Sequence, residues 1–255
     1  MTSLSLASWA VLLAAAIGGG AANALAGGGT FLAFPALLFV GVPPIASNAT
    51  SSFVLNPAGY ASAWVYRDRL IHGRTFQLAM ALTAMAGALA GGELLLHTSE
   101  HRFERLIPYL MLAATLLFSF AERLRAAAST RATGSTRALP MLAGQLVIAI
   151  YGGYFGAGMG VLMLVLYAVA GGMDVHTASG LRLLCGTLIN TVATILFAVR
   201  GVVVWSLGIP MMLACIAGGY CGAKLVRSLD AKKARTTILV YAWAITIWLF
   251  ARAIG

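Results

Sequence analysis

Long apolar runs alternate with short polar or charged stretches from one end of this chain to the other. Read for length, the runs predict helices at about residues 4–25, 47–66, 76–96 and 106–120. After a polar stretch at 122–137, further helices are predicted at 139–155, 176–199, 206–225 and 237–251. Two apolar pieces, 31–40 and 159–170, are only ten and twelve residues long, where a membrane span needs about 20. Each follows a glycine cluster: Gly27-Gly28-Gly29-Thr30 in the first case, Gly156-Ala157-Gly158 in the second.

The two interrupted pieces occupy the same place in two halves of the chain. Gly27 and Gly29 fall on Gly156 and Gly158, Ala49-Thr50-Ser51 on Ala178-Ser179-Gly180, Ala90-Gly91-Gly92 on Ala217-Gly218-Gly219, and Phe120-Ala121 on Phe250-Ala251. Four matches in order predict a duplication, with a first membrane repeat over 1–125, a cytoplasmic linker over 126–138 and a second repeat over 139–255.

Composition sharpens the class. Of 255 residues, 60% are hydrophobic and 9% charged, against about 25% charged in a soluble domain, and the mean hydropathy is +0.90. The chain therefore reads as an all-α polytopic membrane protein. Its net charge of +10 does not indicate nucleic acid, because the basic residues are scattered through short loops with no stripe and no aromatic interleaving. Placing the loops 67–74, 122–137 and 224–235 inside gives twelve lysines and arginines inside and four outside, with Arg182 on neither side. Each repeat then crosses an odd number of times, which predicts inverted repeats and two periplasmic termini. The apolar N-terminus lacks a positive leading region and runs into a second apolar segment, so it reads as a retained helix. Cys185, Cys215 and Cys221 all lie in apolar stretches without metal spacing, and Cys185 reads as a core thiol. No metal or cofactor is expected.

Irregular backbone at membrane depth is tolerated only inside protein or against a water-filled cavity, and paired interrupted helices point to a transporter's binding site. The breaks place Gly28, Gly29, Thr30, Gly156 and Gly158 at that site. The polar patches Ser47–Ser52 and Thr177–Gly180 sit near helix N-termini, which favour anions. Ordinary helix capping uses the same residue types. Pro57 cannot donate a backbone bond, leaving the Phe53 carbonyl free. Arg182 shares a narrow arc with Ser179, Gly186 and Asn190 and has no twin, since Phe53 stands at its place in the first half. A buried arginine in a bilayer is expensive and must face a partner or a cavity, unless it snorkels to the helix end. Glu93, at the far end of its own helix, does not read as that partner. Asp174 and His176, near the turn before the Arg182 helix, read as solvated. Nothing resembles HExxH, GxSxG or an intramembrane acid pair, so no catalytic residue and no enzyme is expected.

These residues resemble the TauE/SafE family of sulfite exporters. The resemblance rests on Gly27-Gly28-Gly29-Thr30 with Pro35, on Ala49-Thr50-Ser51-Ser52, and on their echoes Gly156–Gly160 and Ala178-Ser179-Gly180. It covers nearly the whole chain. In the second half Ala-Ser-Gly stands where the family pattern has Ala-Thr-Ser. The resemblance implies an exporter of a small sulfur anion, most simply sulfite, working by alternating access in the bacterial inner membrane. An organosulfonate, thiosulfate or another small anion is the alternative cargo, and a structural membrane subunit is a more distant one. On this expectation Asn48, Thr50 and Ser51 of one half and Ser179 and Arg182 of the other bind the anion. The glycine breaks meet near the bilayer midplane, lipid is the surrounding partner, and a homodimer is compatible with the reading.

Overall fold

The computed structural model describes residues 4–26, 28–65, 73–130, 138–225 and 231–254. All regular structure among them is α-helical: α1 (Leu6–Ala26), α2 (Thr30–Phe39), α3 (Pro44–Val65), α4 (Arg74–Leu96), α5 (Glu100–Thr130), α6 (Ala138–Tyr154), α7 (Met159–Val169), α8 (Val175–Val199), α9 (Trp205–Leu225) and α10 (Ala231–Ile254). The two interrupted pieces are the short helices α2 and α7, as their length required. Stretches within α1, α4, α5 and α8 are each long and apolar enough to cross a membrane. Gly27 and half the residues of the three predicted inside loops (67–72, 131–137 and 226–230) lie outside the described residues.

Three boundaries differ from the sequence expectation. Helix α3 begins at Pro44, not near Ser47. Proline suits the first helical position, where its missing N–H is not needed. Helix α5 spans 31 residues, taking in part of the predicted loop before it and the stretch after Phe120. The sequence Glu122–Ala128 is rich in Ala, Arg, Glu and Leu, all strong helix formers. Charge there ends the apolar span without ending the helix. For the same reason α10 begins at Ala231, within the lysine-rich segment.

The chain forms two compact units, and each draws on both sequence halves. Unit 1 comprises Met1–Ala58, Ser99–Leu112 and Phe197–Gly255. Its core gathers Leu12 and Ala16 of α1, Leu37 of α2, Val54 of α3, and Met211 and Cys215 of α9. Unit 2 comprises Gly59–Thr98 and Ala113–Leu196. Its core gathers Met80 and Ala88 of α4, Ala149 of α6, Tyr167 of α7, and Cys185 and Ile189 of α8.

One helix pair organises each unit, and the two pairs are built alike. In unit 1, a Cβ on Gly20 of α1 would overlap the Cys215 carbonyl of α9, and a Cβ on Gly218 would overlap the Ile17 carbonyl. In unit 2, a Cβ on Gly153 of α6 would overlap the Ala88 carbonyl of α4, and a Cβ on Gly91 would overlap the Ile150 carbonyl. Lipid chains are as apolar as leucine, so helix association in a bilayer relies on close packing, and small residues let backbones meet. At such distances Cα–H groups face carbonyl oxygens and add weak polar attraction.

The opposite faces are apolar. Leu78, Leu82, Met85 and Leu89 of α4, and Ile209, Leu213, Ile216 and Tyr220 of α9, are exposed at helical spacing. Such stripes are unsuited to water and suited to lipid. The chain is thus an all-helical, multi-pass membrane protein.

These glycines set a testable requirement. Gly20→Leu and Gly91→Leu are expected to lower the thermal midpoint of the detergent-purified protein, by about 1–3 kcal/mol of overpacking or more because backbone must move. Gly73→Ala, where a Cβ would meet nothing within 4 Å, is expected to leave it unchanged.

Candidate functional site

The second glycine break, in unit 2, is a turn that only glycine makes easily. Gly156 and Gly158 have φ of +79° and +77°, in the left-handed region where side chains are strained. The Tyr151 hydroxyl donates to the Ala157 carbonyl at 2.6 Å, holding the turn against α6. Gly158 is then the N-cap of the eleven-residue α7. The first break, in unit 1, works differently. Gly29 is right-handed (φ −59°) and is needed for space, since a Cβ there would lie 2.6 Å from the Leu55 side chain and 2.7 Å from the Gly19 carbonyl oxygen. Gly28 and Gly29 are buried, and Thr30 is half-buried at the start of α2.

Arg182 lies seven residues into α8, about 10 Å from its start at 1.5 Å per residue. Its side chain reaches the first turn of α7, where a Cβ on Gly160 would come within 3.0 Å of Nη1 and 3.5 Å of Cδ. The guanidinium therefore packs against the α7 backbone, which the missing side chain at 160 allows. The first turn of α7 carries the positive end of the helix dipole, although its Met159 and Val161 N–H groups already donate to the Gly156 and Gly158 carbonyls at 3.3 and 3.0 Å. Two positive features meet here, in a half-buried setting. Positive charge and a helix N-terminus are each features that favour a nearby anion.

Buried polar groups stand beside it. The Tyr167 hydroxyl donates to Gln145 Oε1 at 2.6 Å, and both side chains are fully buried. Tyr167 shares the buried core of unit 2 with Cys185, which lies on the same helix as Arg182. Gln145 Nε2 is buried without a hydrogen-bond partner. Gln145 and Tyr167 were not expected from the sequence. The signal was present: Ile17 and Gly20 lie 133 residues before Ile150 and Gly153, and this register sets Gln145 against Leu12. The spacing of 129 residues between Gly29 and Gly158 likewise sets Tyr167 against Leu38 and Arg182 against Phe53. Polar residues thus replace apolar ones at three corresponding positions.

The other site residues expected in unit 2 are also placed. Ser179 is half-buried one turn before Arg182, and Asn190 is half-buried two turns after it. Asp174 is exposed, and it caps α8: its carboxylate accepts from the Thr177 N–H at 3.1 Å and from the Thr177 hydroxyl at 2.6 Å. Glu93 approaches His97 in the last turn of α4, at 3.7 Å. The His176 side chain lies outside the described residues.

In unit 1, Asn48, Thr50 and Ser51 are buried in the second turn of α3. A hydroxyl has one proton to give. Ser51 gives its proton to the Asn48 carbonyl (2.9 Å), as does Ser52 (3.0 Å), and Ser47 donates to the Val42 carbonyl (3.0 Å). Thr50 is different, because its oxygen accepts from the Val204 N–H at 3.0 Å beside the start of α9. The first turn of α3 already has an anion, since Glu100 accepts the Ile45 N–H at 3.1 Å. Among the described residues, no group of three or more His, Cys, Asp or Glu could hold a metal ion.

Short helices after glycine breaks and lipid-facing apolar stripes define the class as a polytopic membrane protein, and comparison with known proteins makes it a membrane transporter. The match to a family model is specific: residues 11–249 match "Sulfite exporter TauE/SafE", and the chain belongs to that family. It is 28% identical over 229 residues to a "Probable membrane transporter protein" of Haemophilus influenzae, covering 88% of this chain and 87% of the relative. It is 27% identical over 253 residues to "Probable membrane transporter protein ORF9" of Sinorhizobium sp, covering 98% and 95%. The "Probable membrane transporter protein YfcA" of Escherichia coli is 27% identical over 234 residues, covering 90% and 85%. No solved structure matches the chain.

The buried hydroxyl–amide bond carries its own expectation. Tyr167→Phe is expected to destabilise unit 2 by about 0.6–2 kcal/mol, the range for polar contacts between membrane helices, read as a lower thermal midpoint in detergent. An unchanged midpoint would mean that the Gln145 amide finds an equal partner elsewhere.

Proposed function

We propose that this transporter exports a small sulfur oxyanion, sulfite first, and that Arg182 holds it at the first turn of α7. The observation that carries this reading is the guanidinium packed against Gly160, where two positive features converge. A pyramidal oxyanion presents several acceptor oxygens, and arginine offers directed donors in a planar fork. Ser179, one turn away on α8, is a further proposed donor, and within unit 1 Thr50 is assigned a polar role at the start of α3. Asn48 and Ser51 are assigned supporting roles, Ser51 through the Asn48 carbonyl it already binds. Gly28, Gly29 and Thr30 are proposed to line the path within unit 1, and Gly156 and Gly158 within unit 2. Location in a bacterial inner membrane with periplasmic termini rests on the lysine and arginine bias, and alternating access rests on the duplicated interrupted helices. Organosulfonates and thiosulfate are the alternative cargoes, because the same donors would suit any small oxyanion.

Uptake of radiolabelled sulfite into proteoliposomes tests the assignment. Arg182→Ala, at wild-type thermal stability, is expected to reduce transport by about 100-fold, in line with a lost charge-assisted contact of roughly 3 kcal/mol. Gly160→Val is expected to raise the half-saturating concentration by displacing the guanidinium. Transport by Arg182→Ala at the wild-type rate would overturn the proposal, and thiosulfate or an organosulfonate carried in place of sulfite would reassign the cargo.

A further inference from the structure

Unit 1 carries a charged cleft that the transport reading does not use. Its volume is about 420 Å³, and it is bounded by the α2–α3 turn, the first turns of α5 and the end of α10. The turn is pinned by the Ile45 N–H to Glu100 bond, and α5 and α10 meet through Tyr109 and Phe250, edge to face at 5.4 Å. Arg105, Arg252, Glu104 and His101 supply the polar lining, and Leu38, Ile107 and Leu249 are among the apolar groups. Glu104 lies 3.7 Å from Arg252, with both side chains about half exposed. Among its arginines and glutamate, two against one leave one positive charge in excess.

An apolar groove of about 320 Å³ lies on the same two helices, α2 and α10. Pro35, Ala36 and Phe39 line it from α2, and Tyr241, Ile245 and Trp248 from α10. Trp248 also carries the Arg252 guanidinium over its ring, at 5.7 Å. From Arg252 to Tyr241 the helix advances about 17 Å at 1.5 Å per residue. Half of a hydrocarbon core about 30 Å thick is close to that length. A cationic cleft followed by an apolar groove one leaflet deep matches a single amphiphile, with its phosphate among the arginines and an acyl chain along α10.

We propose that unit 1 binds one anionic phospholipid, with the phosphodiester at Arg105 and Arg252 and a chain in the groove beside Trp248. Arginine suits phosphate through paired N–H donors. The single excess positive charge favours a headgroup of net charge −1 over a zwitterionic one, whose ammonium would meet the same arginines. A small soluble anion would use the cleft and leave the groove unexplained.

Native mass spectrometry of the full chain, purified in detergent and titrated with phosphatidylglycerol or phosphatidylethanolamine, tests this, with thermal unfolding in parallel. The expected result is one retained phosphatidylglycerol, a raised unfolding midpoint, and weaker retention of phosphatidylethanolamine. Arg105→Gln with Arg252→Gln is expected to weaken phosphatidylglycerol binding on the order of 30-fold, since each arginine near an anionic lipid is worth roughly fivefold. Ile245→Trp, which narrows the groove without changing charge, is expected to weaken it also, and Glu104→Gln to leave it as tight or tighter. Equal retention of both lipids, or undiminished binding by the double arginine variant, would overturn the proposal. Inorganic phosphate or sulfite raising the midpoint as far as phosphatidylglycerol, with the same arginine dependence, would do so too and would mark a soluble-anion site.

Discussion

Two helix pairs pressed together at glycine are the constraint on which the rest of the structure depends. Gly20 and Gly218 in unit 1, and Gly91 and Gly153 in unit 2, each lie against a carbonyl of the opposing backbone with no room for a Cβ. In a bilayer no hydrophobic force brings helices together, so contact at this range is what holds each pair. It also fixes rotation. With the glycine face inward, the stripes Leu78–Leu89 and Ile209–Tyr220 face outward to lipid. The remaining core of each unit, including its short helix, is built around the same pair.

On this shared frame the units differ in chemistry. Unit 1 fills the corresponding positions with Leu12, Leu38 and Phe53, and Phe53 packs edge to face on Trp205 at 5.0 Å. Unit 2 fills them with Gln145, Tyr167 and Arg182. The breaks diverge as well: left-handed glycines make the turn before α7, whereas close packing alone accounts for Gly29. Nine residues separate Gly20 from Gly29 and five separate Gly153 from Gly158. The extra four amount to about one helical turn, and they explain why a single offset does not align both landmarks.

Much of this was legible in the residues. Apolar run length gave every helix, and ten to twelve apolar residues after glycine gave the two short ones, because span length in a bilayer is a strict requirement. Arg182 stood out for the same reason. What was missed lay where polarity and helix end do not coincide. The charged residues Glu100–Arg105 read as a loop, yet they continue α5. The start of α3 was marked by Pro44 and obscured by the hydroxyl patch behind it. Asp174 read as solvated, and it is exposed, but its spacing to Thr177 also makes it the cap of α8. Gln145 is one amide in an apolar helix and becomes informative only beside its counterpart Leu12, a comparison that needs the register set by the glycine pairs. The Gly160–Arg182 contact depends on tertiary packing, and no local pattern encodes it.

The central claim is that one arginine, laid against the start of a short broken helix, is the anchor for the transported anion. Selenite, a heavier analogue of sulfite, makes this visible by anomalous diffraction from crystals of the purified protein. The account predicts a selenium peak within about 4 Å of the Arg182 guanidinium, as expected for an oxyanion in direct charge-assisted contact, and its loss in Arg182→Ala. Ordered selenium elsewhere in the membrane-spanning region, with none at Arg182, would contradict it.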